Sequence, residues 1–153
     1  MISRAVPSRQ ACDALSDRYN LQRFVDAQGA GIEGVLDQLR QGEKTGHWMW
    51  FIFPQLRGLG HSVVAQNYAI SSLKEAQAYL DHPVLGPRLR ECTDLVVRIS
   101  HRSIQEIFGY PDWMKFRSCM TLFSSATADN ALFASALDKY FGGLPDPLTL
   151  QRI

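Results

Sequence analysis

Ten residues constrain this chain more than any others: Gly46-His47-Trp48-Met49-Trp50-Phe51-Ile52-Phe53-Pro54-Gln55. Two of the three tryptophans and two of the eight phenylalanines lie here, beside a histidine, a proline and a glutamine. Each such ring buries roughly 150–250 Å², an area for which a surface loop has no use. A plain core segment rarely brackets its apolar run with His47 on one side and Gln55 on the other. The segment is therefore either the densest part of the core or the wall of a pocket. An apolar run without periodicity fits a buried strand or a buried helical turn. No partner strand is visible elsewhere, which favours a short helix from about Thr45 that ends before Pro54.

With 153 residues the chain is long enough for one domain with its own core. The expected layout is an arm over residues 1–18, with a short helix around Arg9–Arg18, and a single helical domain over 19–153. Charged residues make up 20% and apolar ones 46%, which excludes a disordered chain. The run Trp48–Pro54 is far shorter than the ~20 residues of a spanning helix, so no membrane partner is expected. A net charge of +1 with scattered Arg and Lys leaves no footprint for nucleic acid. Cys12, Cys92 and Cys119 are odd in number and far apart, as thiols kept reduced in a cytoplasm would be. Met1–Leu15 lacks the apolar stretch of a signal peptide. A cytoplasmic location follows as the expectation.

Helical signals run through the rest of the chain. Ile32, Val35, Leu36 and Leu39 recur at i, i+3, i+4 and i+7, and Gly42 ends their helix. Ser72 with Glu75, and Ser103 with Glu106, are capping boxes that open two more helices. The first carries Leu73, Ala76 and Leu80 inward and stops before Pro83. The next and longest carries Leu85, Leu89, Cys92, Val96 and Ile99, with Pro83 and Pro87 tolerated at its start. Ile104, Ile107 and Phe108 face inward until Gly109 and Pro111 stop the turn. Asp112 reads as the N-cap of a helix reaching about Ala126. A last helix holds Leu132, Phe133, Ala136, Leu137, Tyr140 and Phe141, ending at Gly142-Gly143. Shorter helices are read over Leu21–Ala27 and Ser62–Ile70. The expected fold is all-α: an irregular multi-helix domain of six to eight short helices.

A helical wheel at about 100° per residue sorts the Asp112 helix into two faces. Trp113, Phe116, Met120 and Phe123 share one. Lys115, Ser118, Thr121 and Ser125 lie opposite, where small hydroxyls replace the usual charged solvent face. Such hydroxyls either bond back to carbonyls one turn earlier or line a polar pocket with Asp112 and Lys115 at its mouth. No second His or Cys sits at ligand spacing to His47, so no metal is expected, and no cofactor motif is present. Gly58-Leu59-Gly60 is too short for a phosphate loop, and neither GxxxxGK[ST] nor GxSxG occurs.

Several segments together resemble a known family. They are His47-Trp48-Met49-Trp50-Phe51-Ile52-Phe53-Pro54-Gln55, Gly58-Leu59-Gly60, Tyr68-Ala69-Ile70, Glu75-Ala76 and Tyr79-Leu80-Asp81-His82-Pro83. Leu85-Gly86, Phe108-Gly109, Asp112 with Lys115, and Met120-Thr121-Leu122-Phe123 continue the pattern. The family is domain of unknown function 1810, some of whose members carry the label calpastatin. Calpastatin repeats are disordered, whereas this composition folds. The resemblance implies a mainly helical, bacterial-type protein with no established activity. A fainter likeness, through the aromatic segment and Met114-Lys115-Phe116, is to small N-glycosidase-like domains acting on ADP-ribose and related compounds.

Two functions follow as expectations. In the first, a small planar or anionic, nucleotide-like metabolite binds between the aromatic segment and the Asp112–Ser125 helix. Trp48 or Trp50 would stack on it, and Gln55 would hydrogen-bond it. Lys115 would meet its anionic group, while His47, Tyr68, Ser118 and Thr121 complete the wall. Asp112 and Lys115 would be the catalytic pair if the reaction is hydrolysis of an N-glycosidic bond. In the second, the aromatic segment is a non-enzymatic interaction surface for a protein partner or a homodimer.

Overall fold

The computed structural model describes residues 17–153, and their regular structure is helical apart from one isolated parallel bridge. Most of the helix expected around Arg9–Arg18 lies outside the described residues. Helix α1 (Gln22–Gln28) passes through a 3-10 turn (Gly29–Gly31) into α2 (Ile32–Gln41), which Gly42 closes in the left-handed region. The aromatic segment supplies one turn, α3 (Met49–Ile52). Helices α4 (Val63–Asn67), α5 (Leu73–Asp81) and α6 (Leu85–Arg98) follow. Then come α7 (Ile104–Phe108), α8 (Asp112–Ala126), α9 (Ala131–Phe141) and α10 (Pro147–Arg152). None of the helices in the described residues is long and apolar enough to cross a membrane.

Among the described residues helix α8, and not α6, is the longest, and it is the axis of the fold: α5, α7, α9 and α10 all pack on it. Its inward face carries Phe116, Cys119, Met120 and Phe123, none exposed to solvent. Phe116 meets Phe53 edge-on at 5.1 Å and stacks on Phe108 at 5.0 Å. Phe123 contacts Tyr79 at 5.3 Å and Phe133 at 6.1 Å. Tyr79, rather than Leu73 or Leu80, is the main inward residue of α5. Its hydroxyl accepts from Gln28 Nε2 at 3.2 Å, and Gln28 also donates to the Phe51 carbonyl at 2.7 Å. This gives a fully buried phenol a partner. Burial pushes the Tyr79 hydroxyl far above its ordinary range. Burial likewise raises the Cys92 thiol to about 12 and holds Cys119 well above its usual value, so neither is an activated nucleophile.

The two capping boxes differ. Ser103 accepts from the Glu106 amide at 3.1 Å while Glu106 accepts from the Ser103 amide at 2.8 Å. Ser72 likewise accepts from the Glu75 amide at 3.1 Å. Glu75, however, does not return the bond. Its carboxylate is buried, so it takes the Arg23 guanidinium at 2.9 Å and the Ser71 amide and hydroxyl at 2.8 and 2.7 Å. A buried carboxylate needs a cation more than it needs a cap. Arg23 also donates to the Asn67 and Ala69 carbonyls, clasping α1 to the end of the 55–70 loop.

That loop positions one half of the candidate site. Leu56 and Ile70 form the parallel bridge, with the Ile70 amide donating to the Gln55 carbonyl at 3.0 Å and the Arg57 amide to the Ile70 carbonyl at 2.8 Å. Residues 55 and 68 are thereby drawn to the same side. Gly60 permits the closure: a Cβ there would lie 2.6 Å from the Ala65 Cβ.

Candidate functional site

The aromatic segment divides between core and surface. Trp48, Met49, Ile52 and Phe53 are buried, and the Trp48 indole N–H donates to Gln38 Oε1 at 2.8 Å. Trp50 and Phe51 are only half-buried. Trp50 lines a small dent with Gln55, Tyr68 and Lys115, floored by Met49 and Phe53 and flanked by Ala65. Its free volume is about 10 Å³, near the minimum for one water. Among the described residues, the space between this segment and α8 holds this dent rather than a deep pocket. Trp48, Phe53, Phe108 and Phe116 fill that space with one another, at 5.0–6.5 Å between ring centres.

Of the nine expected site residues, Trp50, Gln55, Tyr68 and Lys115 converge here. His47 is exposed and lies outside the dent, and Trp48 faces the core. Asp112 is not an N-cap: Pro111 holds that position, and Asp112 is the first residue of α8, where a carboxylate suits the helix dipole. Its side chain is committed to two lysines. Asp112 Oδ2 meets Lys44 Nζ at 2.8 Å, and Oδ1 meets Lys115 Nζ at 3.6 Å. Lys44 was not anticipated. Its amide donates to the Ile107 carbonyl at 2.8 Å, which fixes it beside the start of α8, and its side chain is only 7% exposed. Lys44 Nζ lies 5.1 Å above the Trp48 ring, and Lys115 Nζ lies 5.2 Å above Trp50. The result is an alternating row of indole, ammonium, carboxylate, ammonium and indole. It carries one positive charge more than it carries negative, and Lys115 is its cation nearest the surface.

Ser118 and Thr121 take no part in the dent and face the C-terminal segment instead. Each hydroxyl bonds back to a carbonyl one turn earlier, Met114 at 3.2 Å and Arg117 at 2.9 Å, and Ser125 does the same to Thr121 at 2.9 Å. The first two also hold the C-terminal segment. Ser118 Oγ shares its one proton between the Met114 carbonyl and Asp146 Oδ2, the latter at 3.0 Å, and the Asp146 amide donates to Thr121 Oγ1 at 2.8 Å. Asp146 caps α10 by accepting from the Thr149 amide at 3.1 Å, and Arg117 donates to the Leu144 and Pro145 carbonyls. The C-terminal segment 142–152, a strap that ends in helix α10, is thus the structural reason for the hydroxyl stripe. Between α8, α9 and the strap lies a groove of about 290 Å³, with Thr121, Ser124 and Ser125 along one wall.

The expected site residues therefore fall into two groups: Trp50, Gln55, Tyr68 and Lys115 at the dent, and Ser118 and Thr121 against the C-terminal segment. Among the described residues, no group of three His, Cys, Asp or Glu side chains is placed to hold a metal.

Comparison with curated proteins finds no match. The crystal structure of the conserved hypothetical protein Rv1873 from Mycobacterium tuberculosis is similar, with 56% identity and a TM-score of 0.88. The match covers 88% of this chain and 96% of that one. The family model described as protein of unknown function (DUF1810) matches residues 18–153. With the model spanning nearly the whole chain, this protein belongs to the DUF1810 family.

Proposed function

We propose that this protein binds a small molecule presenting an anionic group on a planar body, at the dent of Trp50, Gln55, Tyr68 and Lys115. The observation that carries this reading is the state of Lys115. Its ammonium lies over the face of Trp50 and shares Asp112 with Lys44, which holds the carboxylate at the shorter distance, 2.8 against 3.6 Å. Lys115 therefore keeps donors for an incoming carboxylate or phosphate, and the Trp50 ring offers a planar surface beside it. Gln55 adds a donor and an acceptor, and Tyr68 a hydroxyl. The dent admits one edge of such a ligand rather than the whole of it.

Recognition, not hydrolysis, fits the geometry. Asp112 is not part of the dent wall, and both its oxygens face ammonium groups. Among the described residues, no carboxyl group lines the dent to protonate a leaving group, so Asp112 and Lys115 are read as an electrostatic pair and not as an acid/base couple. A second reading, docking of a protein partner or a second copy, has one observation in its favour. Val63 and Val64 are exposed on α4, beside Ala65 in the dent wall.

Calorimetric titration with benzoate, a planar carboxylate, tests the first reading. Wild type should bind it, and Lys115→Met should weaken binding by about tenfold, the loss of one charge-assisted hydrogen bond. Equal affinity in both would remove the reading. A sedimentation coefficient that rises with concentration in wild type, but not in Val63→Ser, would favour the second.

A further inference from the structure

The groove on the far face of α8 has the opposite chemistry to the dent. Its body is aliphatic, formed by Ala134 and Leu137 of α9 and by Pro145 and Leu150 of the strap. One charged side chain lines it, Asp138. Asp138 is exposed and, among the described residues, has neither a hydrogen-bond nor an ion-pair partner. The nearest cation along α8, Arg117, is committed to the Leu144 and Pro145 carbonyls and does not line the groove. Lys139, next to Asp138 in sequence, is turned to the end of α6, where it donates to the Val97 and Ile99 carbonyls.

The strap is shaped to leave this carboxylate open. Gly142 and Gly143 both adopt positive φ, 61° and 79°, and a Cβ on Gly143 would lie 3.0 Å from Asp138 Oδ1. A side chain at position 143 would thus be strained by the backbone and would crowd the acid. Ser124, whose hydroxyl makes no hydrogen bond among the described residues, completes the polar lining. The groove's volume of about 290 Å³ stands at the lower end of small-molecule sites, roughly 300–1,000 Å³.

We infer that this groove is a second binding site, for a ligand with an ammonium group at the end of a short aliphatic body. The ammonium pairs with Asp138 and donates to Ser124, and the body lies along Leu137, Pro145 and Leu150. An aliphatic groove with one unpaired acid favours that charge over its opposite. The inference does not depend on the anion site, because the two share no lining residue.

The test is an amide-resonance titration of the full chain with hexylammonium, hexanol and hexanoate. Hexylammonium should shift the Ser124, Ala134, Asp138 and Gly143 amides, with hexanol weaker and hexanoate without effect. Asp138→Asn should weaken hexylammonium by about tenfold, while Asp37→Asn, the same charge change on α2, should leave it unaltered. Equal binding of all three probes, or no change on Asp138→Asn, overturns the proposal. So does a shift of the same amides with protein concentration alone, which would make the groove a contact between copies.

Discussion

The dent and the groove are built on one helix by two different kinds of force. At the start of α8, beside the packed aromatic rings, a row of charges runs from the nearly buried Lys44 through Asp112 to the partly exposed Lys115. On the outward face, hydroxyls bonded to their own helix turn also grip the strap through Asp146. Thr149, buried, is the strap's main inward residue, whereas Leu144, Leu148 and Leu150 are exposed. The dent is thus set by burial and the groove by hydrogen bonds. A shared helix does not make a shared environment: the same fifteen-residue element places a lysine in the dent and leaves an acid, Asp138 of α9, beside the groove.

This contrast makes ordered predictions for stability. Asp112→Ala removes the anion beside an almost buried ammonium, leaving Lys44 only the Gly46 carbonyl and the Trp48 ring, and should cost about 3 kcal/mol in urea unfolding, the lower end for a broken buried pair. Lys115→Met removes only the longer, more exposed contact, and should cost at most about 1 kcal/mol. Equal costs would mean that the two ion pairs are equivalent, and the ranking of the lysines would fall.

Asp146→Ala should cost about 1–2 kcal/mol, as the loss of a helix cap and of the Ser118 bond. Its effect should also be local. Hydrogen exchange would speed up at Leu150, whose amide bonds to the Asp146 carbonyl, and stay slow at Phe123 in the core. Uniform acceleration across α8 would show that the strap is integral to the core and not fastened onto it. A further effect is confined to the alkaline side. The folded state holds the Cys92 proton up to about pH 12 against an ordinary 9.0. More protons are then bound folded than unfolded in that window, so stability declines as pH rises through it and is unaffected below it. A stability curve in Cys92→Ala that keeps the same slope would assign that decline to other groups.

Much of the inward face was legible in the sequence. The 3.6-residue spacing of Phe116, Met120 and Phe123, the Ser103 and Glu106 box, and the glycines at 42 and 142 each report a local energy that the tertiary structure preserves. What was not legible depends on distant partners. Lys44 stands alone in its segment, and only the packing of α7 brings it to Asp112. Glu75 looked like a local cap because Arg23, its stronger partner, lies on another helix. The wheel put Ser118 and Thr121 opposite the aromatic face, but nothing in it says which segment lands there. Helix α10 did have a start signal, Asp146 followed by Pro147 at the first helical position. Its six residues are too few for a period to show, and its leucines point outward.

The most direct test of the anion site follows the tryptophan indole resonances during a benzoate titration, in wild type and in Asp112→Asn. Trp50 should move while Trp48, held by Gln38, stays still. Asp112→Asn should tighten benzoate binding, because the carboxylate that competes for Lys115 is gone. Movement of both indoles together, or binding weakened by Asp112→Asn, would contradict a ligand carried on Lys115 over Trp50.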